Sequence, residues 1–285
     1  MDDEEAARTV AVQLRRSAGY MARAEIERVL APLRANPRRL EPFGYKVYSQ
    51  NDEDGMLAEI FRRLKIASGL FCEIGVENGL ECNTLYLIHQ GWRGCWLERN
   101  ESQSGPICTT FASLINSKRL VLGIGAVTPD NINKTVTAAL YAAHRTPAEL
   151  DFLSIDIDGM DIYLWEALDF APKVICIEYN AKFPPPLVKK PVLNPDNIWR
   201  GTDYMGSSLS ALALTGKDKG YTLVGTNIVG GNAFFVRSDL TGDLFESNAT
   251  ADHLYNPPRY WLYFDHFIGG IGHAADFGPY IDLMD

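Results

Sequence analysis

Apolar and polar positions alternate along this chain in two distinct rhythms. Residues 4–35 follow a helical period, with Val10, Leu14, Ala18, Met21, Ile26, Val29, Leu30 and Leu33 approximating one apolar face before Ala-Asn-Pro-Arg-Arg breaks it. Residues 49–55, Ser-Gln-Asn-Asp-Glu-Asp-Gly, are dense in capping and turn residues. The amphipathic run Met-Leu-Ala-Glu-Ile-Phe-Arg-Arg-Leu follows them, so a second helix is predicted to start there.

Short apolar runs then appear at 70–75, 94–98, 119–126, 151–157 and 173–179, separated by helix-like stretches around 82–90, 131–143 and 161–168. Strand and helix alternating at this interval predict a doubly wound α/β fold, a parallel sheet covered by helices on both faces. The segment 182–197 is too rich in proline for a helix or a central strand. A helix over 207–217 and two closing strands, 221–227 and 232–237, complete the pattern. Their four-residue connection suits a hairpin, and hence one antiparallel strand at the sheet edge. The stretch from about 240 is aromatic and punctuated by proline and glycine, and no period places it. The chain therefore divides into a helical extension or lid (1–45), an α/β domain (46–240) and a tail packed on that domain (241–285).

Composition narrows the partners. The net charge is −9, and no stretch interleaves Lys and Arg with aromatics, which argues against nucleic acid and an anionic membrane surface. Apolar runs are strand-sized, far short of the roughly 20 residues of a membrane helix. The acidic start, Met-Asp-Asp-Glu-Glu, lacks the features of a signal peptide. Cys72, Cys82, Cys95, Cys108 and Cys176 form no Cys-x-x-Cys pair and lie largely in strand-like runs, as buried free thiols do in a reducing compartment. A cytoplasmic location is expected. The oligomeric state, a homodimer included, is left open.

The strongest chemical signal is Phe71-Cys-Glu-Ile-Gly-Val-Glu-Asn-Gly79, an apolar strand running into a glycine-bearing turn ahead of a helix. Gly75 permits a tight turn and lets a ligand approach the backbone. The gap between Gly75 and Gly79 departs from the dinucleotide fingerprint, and Glu73 and Glu77 stand where a pyrophosphate would be repelled. They suit a cation. Glu98 ends the next strand, 19 residues past Gly79, where a carboxylate can accept ribose hydroxyls. S-adenosylmethionine carries a sulfonium and an ammonium and no phosphate, so this charge pattern favours it over NAD.

The run from Phe71 to Asn100, with Asn83-Thr84 at a helix start and Gly91-Trp-Arg-Gly94 before an acidic strand end, resembles the FkbM-type family of class I S-adenosylmethionine-dependent methyltransferases. Residues 49–55, Asp151-Phe-Leu-Ser-Ile-Asp-Ile-Asp-Gly159 and Val174-Ile-Cys-Ile-Glu-Tyr-Asn180 extend the resemblance. It implies a Rossmann-like seven-stranded sheet, with Glu73, Gly75, Gly79 and Glu98 binding the cofactor and Gly125 and Ala126 near the adenine. Glu77 and Asp156 join the expected cofactor contacts. One departure stands out: where such proteins read Asp-x-Glu-Gly, this chain reads Asp156-Ile-Asp158-Gly.

Ligands bind beyond the carboxyl ends of strands in such sheets. The fourth strand offers Asp156 and Asp158, which share a side if the strand continues; the fifth offers Glu178, Tyr179 and Asn180. In one reading Asp156, Asp158, Glu178 and Asn180 hold a hard divalent ion such as Mg2+, which would activate a substrate hydroxyl. In a second, a carboxylate acts without metal as base or substrate ligand. In a third, Asp156 or Asp158 merely caps the next helix. His253, His266 and His273 form no ligand pattern, although His266 or His273 could reach the site through the tail. Trp199, Tyr204, Trp261 and Tyr263 read as core or lid, with a cation–π contact to the sulfonium as the alternative, and the serines of 206–212 read as helix caps rather than substrate ligands. The expected activity is methylation of a small-molecule hydroxyl, in secondary metabolism on the family's example. Its rivals are intramolecular cyclisation or aminopropyl-type transfer releasing methylthioadenosine, an NAD-dependent oxidoreductase, and a non-catalytic binding module.

Overall fold

The structure is a computed structural model describing residues 3–194, 196–263 and 280–282. Helix α1 (Asp3–Leu30) leads to α2 (Glu53–Leu64), and β1 (Leu70–Ile74) follows. Beyond it come α3 (Leu85–His89), β2 (Arg93–Glu98), α4 (Ser104–Thr110), α5 (Ala112–Asn116), β3 (Leu120–Ile124), α6 (Ile132–Ala142), β4 (Phe152–Ile155), α7 (Asp161–Ala167) and β5 (Val174–Glu178). Helix α8 (Leu209–Asp218) precedes the hairpin of β6 (Tyr221–Thr226) and β7 (Asn232–Arg237). A short strand within the proline-rich segment, Lys189–Pro191, pairs with Tyr280–Asp282 as a separate ribbon.

The main sheet has seven strands in the order β3-β2-β1-β4-β5-β7-β6. It is a Rossmann-like sheet in which β1 to β5 run parallel and β7 inserts antiparallel beside β5. The antiparallel strand was expected at the edge. It lies inside, and β6 takes the edge, because β7 rather than β6 pairs with β5. The order changes direction between β1 and β4, so the parallel strands open a crevice at their carboxyl ends.

Side chains leave β1 alternately for two apolar layers. Leu70, Cys72 and Ile74 join Leu153, Ile175, Trp165 and Phe235 on one face, while Phe71 joins Trp96, Phe152, Phe61 and Trp92 on the other. Strands buried on both faces read as continuous apolar runs, which is why they stood out in the sequence.

Helices α4 and α5 went unpredicted. Their residues, Ser-Gly-Pro-Ile-Cys-Thr-Thr-Phe-Ala-Ser-Leu-Ile-Asn, carry glycine, proline and β-branched residues that mask a helical period. Helix α1 ends at Leu30, short of residue 35, and a 3-10 turn at Leu33–Ala35 replaces its last turn. Most of its first half is exposed, whereas Ala22, Ile26, Val29 and Leu30 pack against Ile228, Val229, Trp261 and Leu262. Arg63, 8% exposed, ties the following segment down. Its guanidinium donates to the carbonyls of Pro37, Arg38, Arg39 and Leu244 and pairs with Glu59 at 2.7 Å.

Candidate cofactor and acceptor site

A cavity of about 840 Å³ occupies the crevice over the carboxyl ends of β1, β2, β4 and β5. That volume lies within the range of small-ligand sites. Eight of its lining residues are Asp or Glu, against one arginine, Arg99. The electrostatic preference is therefore for a cation.

The turn after β1 is held from three sides. Gly75 has φ +83°, a conformation that favours glycine, and its N–H donates to the carbonyl of Leu97 at 2.8 Å. A Cβ there would sit 1.7 Å from the carbonyl oxygen of Asp156. Glu77, at φ +49°, lines the cavity. Gly79 does not. A Cβ on it would meet the Trp96 ring at 2.6 Å, so this glycine permits close packing rather than ligand approach.

Two carboxylates expected to meet the cofactor are already engaged with backbone. Glu73, 2% exposed, accepts from the N–H groups of Asn83 (2.8 Å) and Thr84 (3.0 Å) and from the Thr84 hydroxyl (2.5 Å). Burial raises its carboxyl pKa despite these bonds. Glu98 accepts from Val76 (3.1 Å) and Glu77 (2.8 Å) on one oxygen and from Asn100 (2.6 Å) on the other. Both still line the cavity, and Oε1 of each accepts only one of these bonds, which leaves it a second lone pair. At the end of β3, Gly125 and Val127 line the cavity, while Ala126 is exposed outside it and its carbonyl accepts from Asn131.

Three carboxylates converge at the ends of β4 and β5. One oxygen each from Asp156, Asp158 and Glu178 lies within 4.8 Å of the others. The alternation argument does not produce this, because β4 stops at Ile155. A turn with Asp158 at φ +59° and Gly159 at φ +137° brings Asp158 back beside Asp156. Capping does not explain the pair either. Asp161 accepts from the N–H groups of Ile157 and Gly159, both at 2.8 Å, and so secures the turn itself.

Burial, followed by the charge of Asp158, pushes the Asp156 carboxyl well above the usual range; burial, followed by Asp156, does the same to Glu178. The Asp161 carboxyl is pushed up to about 6, first by burial. Glu178 Oε2 is buried with no hydrogen-bond partner among the described residues.

Asn180 does not join the cluster. The chain has left β5, and the amide instead donates to the Asp203 carbonyl at 2.6 Å and accepts from the Lys182 N–H, outside the cavity lining. Tyr179 likewise points into the core, its hydroxyl on the Asn256 carbonyl at 2.6 Å.

Gln50, Asn51, Met160, Met205, Asn232 and Tyr260 line the cavity without having been singled out by sequence as contacts, and Trp199, one of the aromatics that could face a sulfonium, lines it too. Residues 49–55 looked like a helix start, and two of them, Gln50 and Asn51, serve as cavity wall as well. Ser208, not the cavity, accounts for the serine-rich segment, accepting from Ala211 N–H as the cap of α8. His253 lies 3.5 Å from Glu246, whereas His266 and His273 fall outside the described residues.

No protein-family model matches this chain, and no curated protein sequence matches it. Solved structures do resemble it. The N-terminal domain of EvdMO1 with S-adenosylhomocysteine bound aligns at 14% identity and a TM-score of 0.40, over 75% of this chain and 94% of that one. A SAM-dependent methyltransferase from Aquifex aeolicus aligns at 12% identity and a TM-score of 0.37, over 75% and 97%. Neither likeness assigns a ligand or a residue role here; those rest on the geometry.

Proposed function

We propose that the protein is an S-adenosylmethionine-dependent methyltransferase of FkbM type acting on a hydroxyl group of a small molecule. The observation that carries this reading is the acidic lining of a cavity at the reversal point of a Rossmann-like sheet. A dinucleotide would bring a pyrophosphate to Glu73 and Glu77. A sulfonium nucleoside brings positive charge and no phosphate.

In this reading the cofactor lies over the Gly75 turn with its ribose towards Glu98, its adenine near Gly125 and Val127, and its sulfonium facing Asp156. Glu73 acts through the Asn83-Thr84 backbone, which it holds in place. The acceptor enters over β4 and β5. Asp156, Asp158 and Glu178 offer hard oxygen donors, one from each within 4.8 Å of the others, so the trio fits a divalent ion such as Mg2+. Asn180 drops out of that ligand set. Bound there, the ion would supply Lewis acidity that lowers the acceptor hydroxyl's pKa. Asp156 and Glu178 orient the hydroxyl, and a carboxylate of the trio accepts its proton as the oxygen attacks the methyl carbon in line with the sulfur. Positioning and exclusion of water supply the rest.

The domain division at 45 and 240, with a cytoplasmic location, goes with this proposal. Residues 37–43, stapled by Arg63, belong mechanically to the α/β domain. The test is to incubate the full chain with S-adenosylmethionine and hydroxylated metabolites, with and without Mg2+, and to identify the nucleoside product by mass. S-adenosylhomocysteine is expected. Methylthioadenosine would replace methylation by cyclisation or aminopropyl-type transfer, and calorimetric binding of NAD without binding of S-adenosylmethionine would overturn the reading altogether.

A further inference from the structure

Behind one wall of the cavity sits a carboxylate ringed by three carboxamides. Glu53, fully buried at the start of α2, accepts on Oε1 from the amide nitrogens of Asn227 (2.6 Å), Asn232 (2.9 Å) and Asn51 (3.2 Å). Its Oε2 accepts from the Asn51 backbone N–H at 2.7 Å. The three asparagines come from segments up to 181 residues apart (Asn51 and Asn232), so this junction is assembled only by the fold.

The junction fixes which way two amides face. Asn51 and Asn232 both line the cavity, at 3% and 6% exposure. With each amide nitrogen committed to Glu53, each carbonyl oxygen must point away from it. Both oxygens, Asn51 Oδ1 and Asn232 Oδ1, are buried without a hydrogen-bond partner among the described residues. Asn232 stands opposite Glu178 across the β5–β7 pair, and Glu178 Oε2 is a third buried acceptor without a partner. Unmatched buried acceptors are costly and call for an explanation.

We propose that Asn51, Asn232 and Glu178 form the acceptor-recognition subsite, and that it takes a substrate bearing a protonated amino group. An ammonium presents three donors and no acceptor, which matches a wall of three acceptors. A hydroxyl in the same place offers one donor to three acceptors, and Glu53 keeps the two amide nitrogens turned to its own side. The subsite is also set apart from the nucleoside. Asn232 lies three strand spacings from β1 and four from β2, about 14 and 19 Å across the sheet. Glu53 is a positioning residue here: it touches no substrate and sets the orientation of the amides that do. The inference rests on the methyltransferase reading and narrows its substrate to amine-bearing hydroxyl compounds.

The test titrates the full chain, saturated with S-adenosylhomocysteine, with matched pairs: D-glucosamine against D-glucose, and ethanolamine against ethylene glycol. The amine of each pair is expected to bind at least about tenfold more tightly. Asn232→Ala, and independently Asn51→Ala should the first fail to fold, is expected to remove that preference. Affinity for S-adenosylhomocysteine should stay within about twofold. Glu53→Gln places a donor against the amide nitrogens and turns one of them. It should raise KM for an amine-bearing acceptor by about tenfold with kcat nearly unchanged, a split that general loosening of the fold would not give.

Equal binding within the pairs, or no amine binding, overturns the proposal. So does a loss of cofactor affinity in Asn232→Ala as large as the loss of amine affinity, since the ammonium recognised would then be the cofactor's own. Failure of S-adenosylhomocysteine to bind strikes the methyltransferase reading instead.

Discussion

Glu98 holds the backbone of Glu77: the N–H of Glu77 donates to Glu98 Oε2 at 2.8 Å, beside a second bond from Val76. The carboxylate that would receive the ribose therefore also shapes the turn beneath the methionine portion. Glu98→Ala is expected to weaken S-adenosylmethionine binding by more than tenfold, roughly 2 kcal/mol from lost bonds to a charged acceptor. It should also lower the melting temperature, because three N–H groups lose their partner. Calorimetry and a thermal melt on the same sample check both.

Gly75→Ala should be the most damaging single change at the site. The new Cβ would lie 1.7 Å from Asp156 O on a backbone at φ +83°, so two loops must separate or the turn must be rebuilt. A loss of more than about 3 kcal/mol is expected, measured by urea unfolding. Full stability in this variant would refute the close contact.

Ligand-free stability should fall as pH rises above the ordinary carboxyl value of about 4, through the Asp161 value of about 6 and beyond. Asp156 and Glu178 have carboxyl pKa values raised well above normal, and that of Asp161 is about 6. The folded chain thus binds more protons than the unfolded chain above the ordinary carboxyl value of about 4. A group raised in this way contributes stability below its unfolded pKa and loses it as pH climbs through the folded one. Glu178→Gln removes one such group and should flatten the pH dependence of the melting temperature. Mg2+ should flatten it too if the trio binds the ion. An unchanged slope in Glu178→Gln would show that the residue ionises normally.

Arg63→Ala should free the segment that joins α1 to α2. The guanidinium serves four carbonyls and Glu59 in a buried setting, and removing it takes the donor from all four carbonyls while Glu59 keeps Arg62. A cost of about 3–5 kcal/mol is expected, with new proteolytic cleavage between residues 36 and 45 as the local signature. Protection there equal to that of the native chain would locate the anchor elsewhere.

Much of this was legible in the chain, for identifiable reasons. Strands such as Phe152–Ile155 and Val174–Glu178 are buried along nearly their whole length, so their apolar runs announced them, and a parallel sheet followed from the helices between. Glycine at position 75 was readable because its backbone can do what others cannot. Gly79 shares that backbone freedom, at φ +78°, and adds a second cause, since a Cβ there would meet the Trp96 ring. Asn180 was misplaced because alternation holds only while a strand lasts, and β5 ends at Glu178. The asparagines around Glu53 left no trace at all. Their spacing has no period, and the carboxylate that unites them looked like the first turn of a helix.

The close approach of Gly75 to the Asp156 carbonyl leaves no slack between the bend after β1 and the loop bearing the acidic trio. The chain cannot drift towards new acceptors by sliding that loop, since its neighbour would be dragged along. On the opposite bank, Trp199, Met205 and Tyr260 line the cavity outside that contact. Substitutions there would reshape that side of the cavity while the Gly75 bend keeps its form.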